Sequence, residues 1–434
     1  MVSSQHGYKR RLPAGIVDAG FASLATFAVG LSAVTLLGDA DRGVYAVFFA
    51  AFMLGTVLPR NLILTPVEVE AVALPLASRL ALLPRGLILG IGPAILGATA
   101  VLFAVAVTTQ YTTADVVVAL AVTTAVTAVL SPLQDHVRKM FHIATLSWRA
   151  AAVSIVQFMS VTGAIAVMMA LDVAVAWIPF GALAIANAVS LAVSRLIVHL
   201  TESGSILDRL DFRELASRGK WLVVQASASA VTGFAVAAII ASLASPDALG
   251  YAESARVVSQ PILVLAAGLT AVLAPRSMKA GMDRDARTAR NTNSIYLAII
   301  GLAGIGYISI AGWDWFLNPM SYIVPSAYVV PGLVAVTVAA NVVVSGLFLQ
   351  VNELLGAHKE TALARIAWSV SPLMLLGGLT AGTTGAFARP IGAIAQAGGR
   401  FLMQAFALRG VYRSESDGTP IGADEVASDR ADLE

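Results

Sequence analysis

The chain has 434 residues, 58% of them hydrophobic and only 12% charged, with a formal net charge of +2 and a mean hydropathy of +0.80. Soluble domains run at about 45–50% apolar and about 25% charged residues, so a water-soluble fold is excluded, and the even spread of apolar sequence excludes a soluble domain with one anchor. There is no cysteine, which excludes disulfides, thiolate metal sites and cysteine nucleophiles.

The opening segment MVSSQHGYKRRLPAG is basic and leads into an apolar run too long for a signal peptide, with no small-residue cleavage site, so no cleavable leader is expected. Runs of about 20 apolar residues predict six spans near 14–37, 43–66, 86–109, 114–132, 146–170 and 174–199. After the polar connection LTESGSILDRLDFRELASRGK at 200–220, six more are expected near 221–244, 249–273, 293–315, 324–351, 361–382 and 387–409. The predicted organisation is an all-α polytopic membrane protein of about 12 transmembrane helices. It has a first six-helix lobe over 1–199, a cytoplasmic linker over 200–220, a second six-helix lobe over 221–410 and an acidic, disordered tail over 411–434.

Basic residues recur in alternate loops. Lys9, Arg10 and Arg11 precede the first span, and Arg79 and Arg85 follow the second. Arg138, Lys139 and Arg149 follow the fourth, Arg209, Arg213, Arg218 and Lys220 the sixth, and Arg276, Lys279, Arg284, Arg287 and Arg290 the eighth. The intervening loops carry mostly aspartates, so the positive-inside rule places both termini in the cytoplasm and requires an even number of spans. The outward loops are short, which argues against a membrane saccharide polymerase or ligase with its catalytic residues in a sizeable outward loop.

The halves echo each other. LLGDADRGVYAVFFAAF (36–52) and LASPDALGYAESARVV (243–258) each join a leucine-ended helix to an Asp-containing turn and a Gly/Tyr-Ala helix start. Two halves that both begin inside form a parallel repeat, an architecture in which substrate sits between the halves.

Polar residues at membrane depth face protein or a water-filled cavity. Glu253, Arg256 and Gln260 are spaced i, i+3, i+7 and fall within about 60° of one helical face. Gln225, Ser229 and Thr232 line the seventh span, Asn341, Ser345 and Asn352 the tenth, and Gln396, Arg400 and Gln404 the twelfth. In the first half, Asp18 and Arg60 stand near the basic ends of their helices. These residues also have plain structural readings: an ion pair between helices, interhelical hydrogen bonding, or snorkelling to the interface. The pairs Gly86/Gly90 and Gly378/Gly382 predict close helix packing. No phosphate-binding loop, dinucleotide fingerprint, zinc helix or nucleophile elbow occurs. His136 and His142, six apart, lack a helical ligand spacing. No cofactor, metal or nucleic-acid partner is expected.

The stretches ASLATFAVGLSAVTLLGDADRGVYAVFFAAF, LPRNLILTPVEV, GYAESARVVSQPI and VLAPRSMKA resemble the polysaccharide flippases of the multidrug/oligosaccharidyl-lipid/polysaccharide exporter superfamily. Arg256 stands where that family often has a basic residue, and Arg60 where a bacterial subgroup has arginine. Thr26–Phe27 stands where many members have Asn–Phe, and Glu253 replaces a small residue. The resemblance implies two six-helix lobes around a central cavity in a bacterial plasma (inner) membrane. It also implies alternating access that flips a polyprenyl-phosphate- or pyrophosphate-linked saccharide to the outer leaflet, alongside glycan-assembly partner proteins. A phosphate group would then meet Arg256, Arg400 and Arg60, with Glu253, Gln260, Gln225, Asn341 and Gln396 completing the polar wall and Asp18 as a candidate coupling residue. The competing readings are an ion-coupled drug or cation antiporter of the same superfamily, a membrane enzyme, and a non-transporting scaffold.

Overall fold

The computed structural model describes residues 11–37, 39–109, 112–199, 211–244, 248, 251–252, 255–256, 258–311, 313 and 330–416. All regular structure among them is helical. The first lobe comprises α1 (Arg11–Leu36), α2 (Asp39–Pro59), a π-helical turn (Arg60–Leu64), α3 (Thr65–Ala73), α4 (Leu83–Ala98), α5 (Val101–Thr108), α6 (Ala114–Ile143), α7 (Ser147–Ala170) and α8 (Ile178–His199). The second comprises α9 (Phe212–Leu243), α10 (Gln260–Met282), α11 (Ala286–Ile310), α12 (Pro331–Ser345), α13 (Leu347–Gly356), α14 (Glu360–Leu379), the short α15 (Ala381–Thr384) and α16 (Ala388–Ser416). Among the described residues, nine segments are long and apolar enough to cross a bilayer. Helices also occupy the expected second, seventh and twelfth spans.

Several boundaries differ from the sequence expectation, because helices continue past the apolar layer; Arg276 and Lys279 lie on α10 and Arg287 and Arg290 on α11. Arg138 and Lys139, expected in a connecting loop, lie on the last turns of α6, which continues past Pro132 to Ile143. Residues 212–220, expected in the linker, form the first turns of α9, capped by the Asp211 carboxylate accepting from the Arg213 N–H at 3.1 Å. Residues 411–416, expected in the disordered tail, instead form the end of α16, and the rest of the acidic tail lies outside the described residues.

The π turn follows from Pro59, which has no N–H to give to the carbonyl four residues back, that of Gly55. Gly55 and Gly97 meet backbone to backbone there: a Cβ on Gly97 would lie 2.2 Å from the Gly55 oxygen. The expected pair Gly86/Gly90 does mark close packing, against Val67, His136, Leu64 and Leu133, and Gly378 packs on Val236. Tight turns between helices use non-glycine residues in the left-handed region. Thr145 (φ 65°) after α6 and His358 (φ 54°) after α13 occupy corresponding turns of the two lobes. At each, backbone N–H groups return to the preceding helix, as in Leu146 N–H to Phe141 O at 2.7 Å and Lys359 N–H to Leu354 O at 2.9 Å.

The core is divided unevenly along the helix axes. At the end where α1 begins, here called the basic end, one apolar cluster unites both lobes. It joins Ile63, Val67, Val137, Met140 and Phe141 of the first to Leu215, Leu222, Met278, Leu354 and Leu408 of the second. Toward the opposite end, the described clusters stay within single lobes. One gathers Tyr45, Phe48, Phe52 and Phe180, with the Tyr45 and Phe180 rings 5.1 Å apart, and another gathers Val258, Ile262, Leu333 and Val338.

Candidate functional site

Between the lobes, α1 meets α10 and α9 meets the π turn. Gly15 and Gly268 touch reciprocally: a Cβ on either would lie 2.5–2.6 Å from the other's carbonyl oxygen. At Gly219 the approach is closer still, with a Cβ landing 2.0 Å from the Leu62 oxygen. Beside it, Arg218 of α9 pairs with Glu70 of α3 across the seam, and its Nε donates to Glu360 Oε1 at 3.0 Å within the second lobe. A pocket of about 280 Å³ opens at this seam, lined by Val69, Glu70 and Ala73 from one lobe and Lys279, Met282, Asp283 and His358 from the other. The seam is closed at the basic end by backbone contact, apolar packing and charge.

Behind it, the extended α6 places Asp135, Arg138 and His142 (i, i+3, i+7) on one face and His136 and Lys139 beside them. Asp18, 1% exposed, is held by four contacts from three side chains. Arg138 donates Nε and Nη2 to its two oxygens at 2.9 and 2.8 Å, Ser154 donates its hydroxyl at 2.5 Å, and His142 Nε2 lies 3.0 Å away. The Ser147 hydroxyl, 3.0 Å from His142 Nδ1, completes the ring if Nε2 carries the proton. Asp135 pairs with Arg60 and also meets Arg138 at 3.4 Å. Glu68, 4% exposed, accepts from His136 Nδ1 at 2.9 Å and Lys139 at 3.4 Å. Each carboxylate in this cluster has a cationic partner or an imidazole. Further along, a buried amide chain runs Gln134–Gln157–Asn187 at 3.2 and 2.7 Å through α6, α7 and α8.

The second lobe is built differently. Glu353 on α13 is 1% exposed and accepts from two neutral donors, Asn293 at 2.6 Å and Tyr412 at 3.1 Å. Burial, followed by the Glu353 charge, pushes the Tyr412 phenol above its ordinary range. On α16, Arg400 keeps two buried nitrogens with no hydrogen-bond partner, and Gln396 and Gln404 on the same face each keep one unpartnered amide atom.

The residues singled out in the sequence therefore occupy separate places. Asp18 and Arg60 share the first-lobe charge cluster. Arg400 and Gln396 lie on α16, which packs against α12, α13 and α14 of its own lobe. Asn341 turns to α10, donating to Ser259 Oγ at 3.0 Å, beside half-buried Gln260, and Gln225 is half-buried on α9. Arg256 is half-buried, and its charge reaches Tyr45 of the first lobe. Glu253 lies outside the described residues, and the expected Glu253–Arg256 pair with it. Asp135, Arg138, His142 and Ser154 were not foreseen as a site.

No family model matches the sequence, and no curated protein matches it. Solved structures do. A MOP superfamily transporter from Pyrococcus furiosus Vc1 superposes with a TM-score of 0.73 at 12% identity, covering 93% of this chain and 96% of that one. A MATE protein in the straight conformation gives 0.73 at 13% identity, covering 94% and 96%. The fold is that of the MATE transporters of the MOP superfamily. An outward-facing multidrug resistance MATE transporter has the same fold at TM-score 0.69 and 12% identity, covering 93% of this chain and 96% of that one. In this MATE fold, the basic end is where the described core residues of the two lobes join in one cluster.

Proposed function

We propose that the protein is an alternating-access transporter of a bacterial plasma membrane, with its basic end and both termini in the cytoplasm, and that its cargo is a polyprenyl-phosphate- or pyrophosphate-linked saccharide. The observation that carries the anionic cargo is the state of the acids. In the first lobe, Asp18, Asp135 and Glu68 already hold Arg138, Arg60, His136, His142 and Lys139, so none of these three is left for a cationic cargo. Arg256, near the first lobe's Tyr45, is the residue for the cargo's phosphate, since guanidinium takes phosphate oxygens in pairs. Asp18 is the candidate coupling residue, because its hydrogen bonds to Arg138, His142 and Ser154 tie α1 to α6 and α7, and breaking them would free α1.

The second reading, an ion-coupled drug or cation antiporter, is favoured by the neighbours, which include a multidrug resistance MATE transporter. The fold alone does not select it, because the Pyrococcus neighbour is reported to have a pocket of reversed polarity that suggests a different function.

Depletion in the native host separates the two readings. Mass spectrometry of extracted lipids is expected to show accumulation of one complete lipid-linked unit, reversed by the wild-type chain and not by a correctly inserted Arg256→Ala variant. An unchanged lipid pool together with new sensitivity to cationic drugs would establish the antiporter reading in its place.

A further inference from the structure

We propose that Arg400 centres a binding site for hydrogen phosphate, or a phosphomonoester, inside the second lobe. The site does not depend on the cargo reading, because α16 packs within its own lobe.

The unpartnered nitrogens of Arg400 are Nε and Nη2. They form one edge of the guanidinium, two parallel N–H groups that match two oxygens of a single oxyanion. One turn earlier, Gln396 (8% exposed) has an unpartnered Nε2, and one turn later Gln404 (2% exposed) has an unpartnered Oε1. At i, i+4 and i+8 the three side chains share an arc of about 80°. Gly392 and Gly399 identify the adjoining face, which packs on Met374, Val370 and Leu373 of α14. The polar arc therefore lies beside the face of α16 that packs on α14. Among the described residues no acid pairs with Arg400. Four buried polar atoms left without partners, two of them on a half-buried cation, are costly, and here all of them are complementary to one ligand.

That ligand must offer several oxygen acceptors to the Arg400 edge and Gln396, and one O–H donor to Gln404. Hydrogen phosphate offers both, as does the monoanion of a phosphomonoester. Sulfate lacks the O–H at neutral pH, chloride gives no pair of oxygens to the fork, and phosphodiester headgroups lack the donor.

The test uses the full chain in detergent and in phosphatidylcholine nanodiscs, titrated with sodium phosphate, sulfate or chloride at equal ionic strength and followed by calorimetry and thermal unfolding. Saturable binding and stabilisation by phosphate are expected, with sulfate and chloride weaker. Arg400→Lys keeps the charge but loses the parallel fork and is expected to weaken phosphate at least about tenfold. Gln404→Leu is expected to erase the preference for phosphate over sulfate, and it carries the test if Arg400→Lys does not fold. Adding phosphatidic acid to the nanodiscs distinguishes the source. If it blocks phosphate, the natural ligand is a lipid monoester; if phosphate binding is unchanged, it is free phosphate. Equal responses to phosphate, sulfate and chloride, or unaltered phosphate affinity in both variants, would overturn the site.

Discussion

Gly219→Leu is expected to reduce transport by at least about fivefold while leaving each lobe folded. Any Cβ at 219 meets backbone: the oxygen, carbon and Cα of Leu62 at 2.0, 2.5 and 2.6 Å. Backbone cannot swing aside as the tip of a side chain can, so the lobes must separate to make room. Overpacking of this kind costs about 1–3 kcal/mol, and because the contact joins the two lobes, the cost falls on the closed seam. A shift of that size moves the closed–open equilibrium by about 5- to 150-fold. The readout uses the absence of cysteine from the chain. A single cysteine replacing Ile63, which is fully buried in the seam, should react slowly with a thiol reagent in the parent and quickly beside Gly219→Leu. Gly301→Leu, where a side chain has open space, should change neither labelling nor transport. If Gly219→Leu labels and transports like the parent, the seam is not a gate.

Arg138→Ala is the second large effect, this time on stability. It removes two charge-assisted hydrogen bonds from a carboxylate that is 1% exposed, and breaking one side of a buried ion pair costs about 3–5 kcal/mol. His142 and Ser154 remain, but they do not replace the fork. Asp18→Asn in the Arg138→Ala background removes the stranded charge, so the double variant should recover much of the loss. A double-mutant cycle on the purified protein, read by unfolding in mild detergent, measures that coupling. Additive losses, or a single-variant loss under about 1 kcal/mol, would mean that the cluster is not organised around Asp18.

The spans were legible because a bilayer demands about 20 apolar residues at a stretch, a requirement local context does not override. The first-lobe charge cluster was not, for a related reason. Hydropathy falls near residue 132, and that fall marks the edge of the apolar layer without ending the helix. Asp135, Arg138 and His142 have the same i, i+3, i+7 spacing as Glu253, Arg256 and Gln260. The second set stands out against apolar neighbours, whereas the first lies among charges and reads as loop. The seam glycines were hidden differently. Gly86/Gly90 announces itself as a pair on one helix, but Gly15, Gly219 and Gly268 each meet a partner on another helix, and spacing along one chain segment carries no sign of that. On α16, the polar face of Gln396, Arg400 and Gln404 was legible from periodicity alone, whereas its lack of partners needed three-dimensional packing.

Alternating access requires that the seam open, and a distance across it tests that most directly. Spin labels on cysteines replacing exposed Ala77 and Lys359, at the basic ends of the two lobes, can be measured by double electron–electron resonance in lipid, with and without a membrane extract containing the candidate cargo. The account predicts a short distance for the closed seam and a second, longer one, with the balance between them shifting when cargo is added. One unchanging distance under every condition would contradict it.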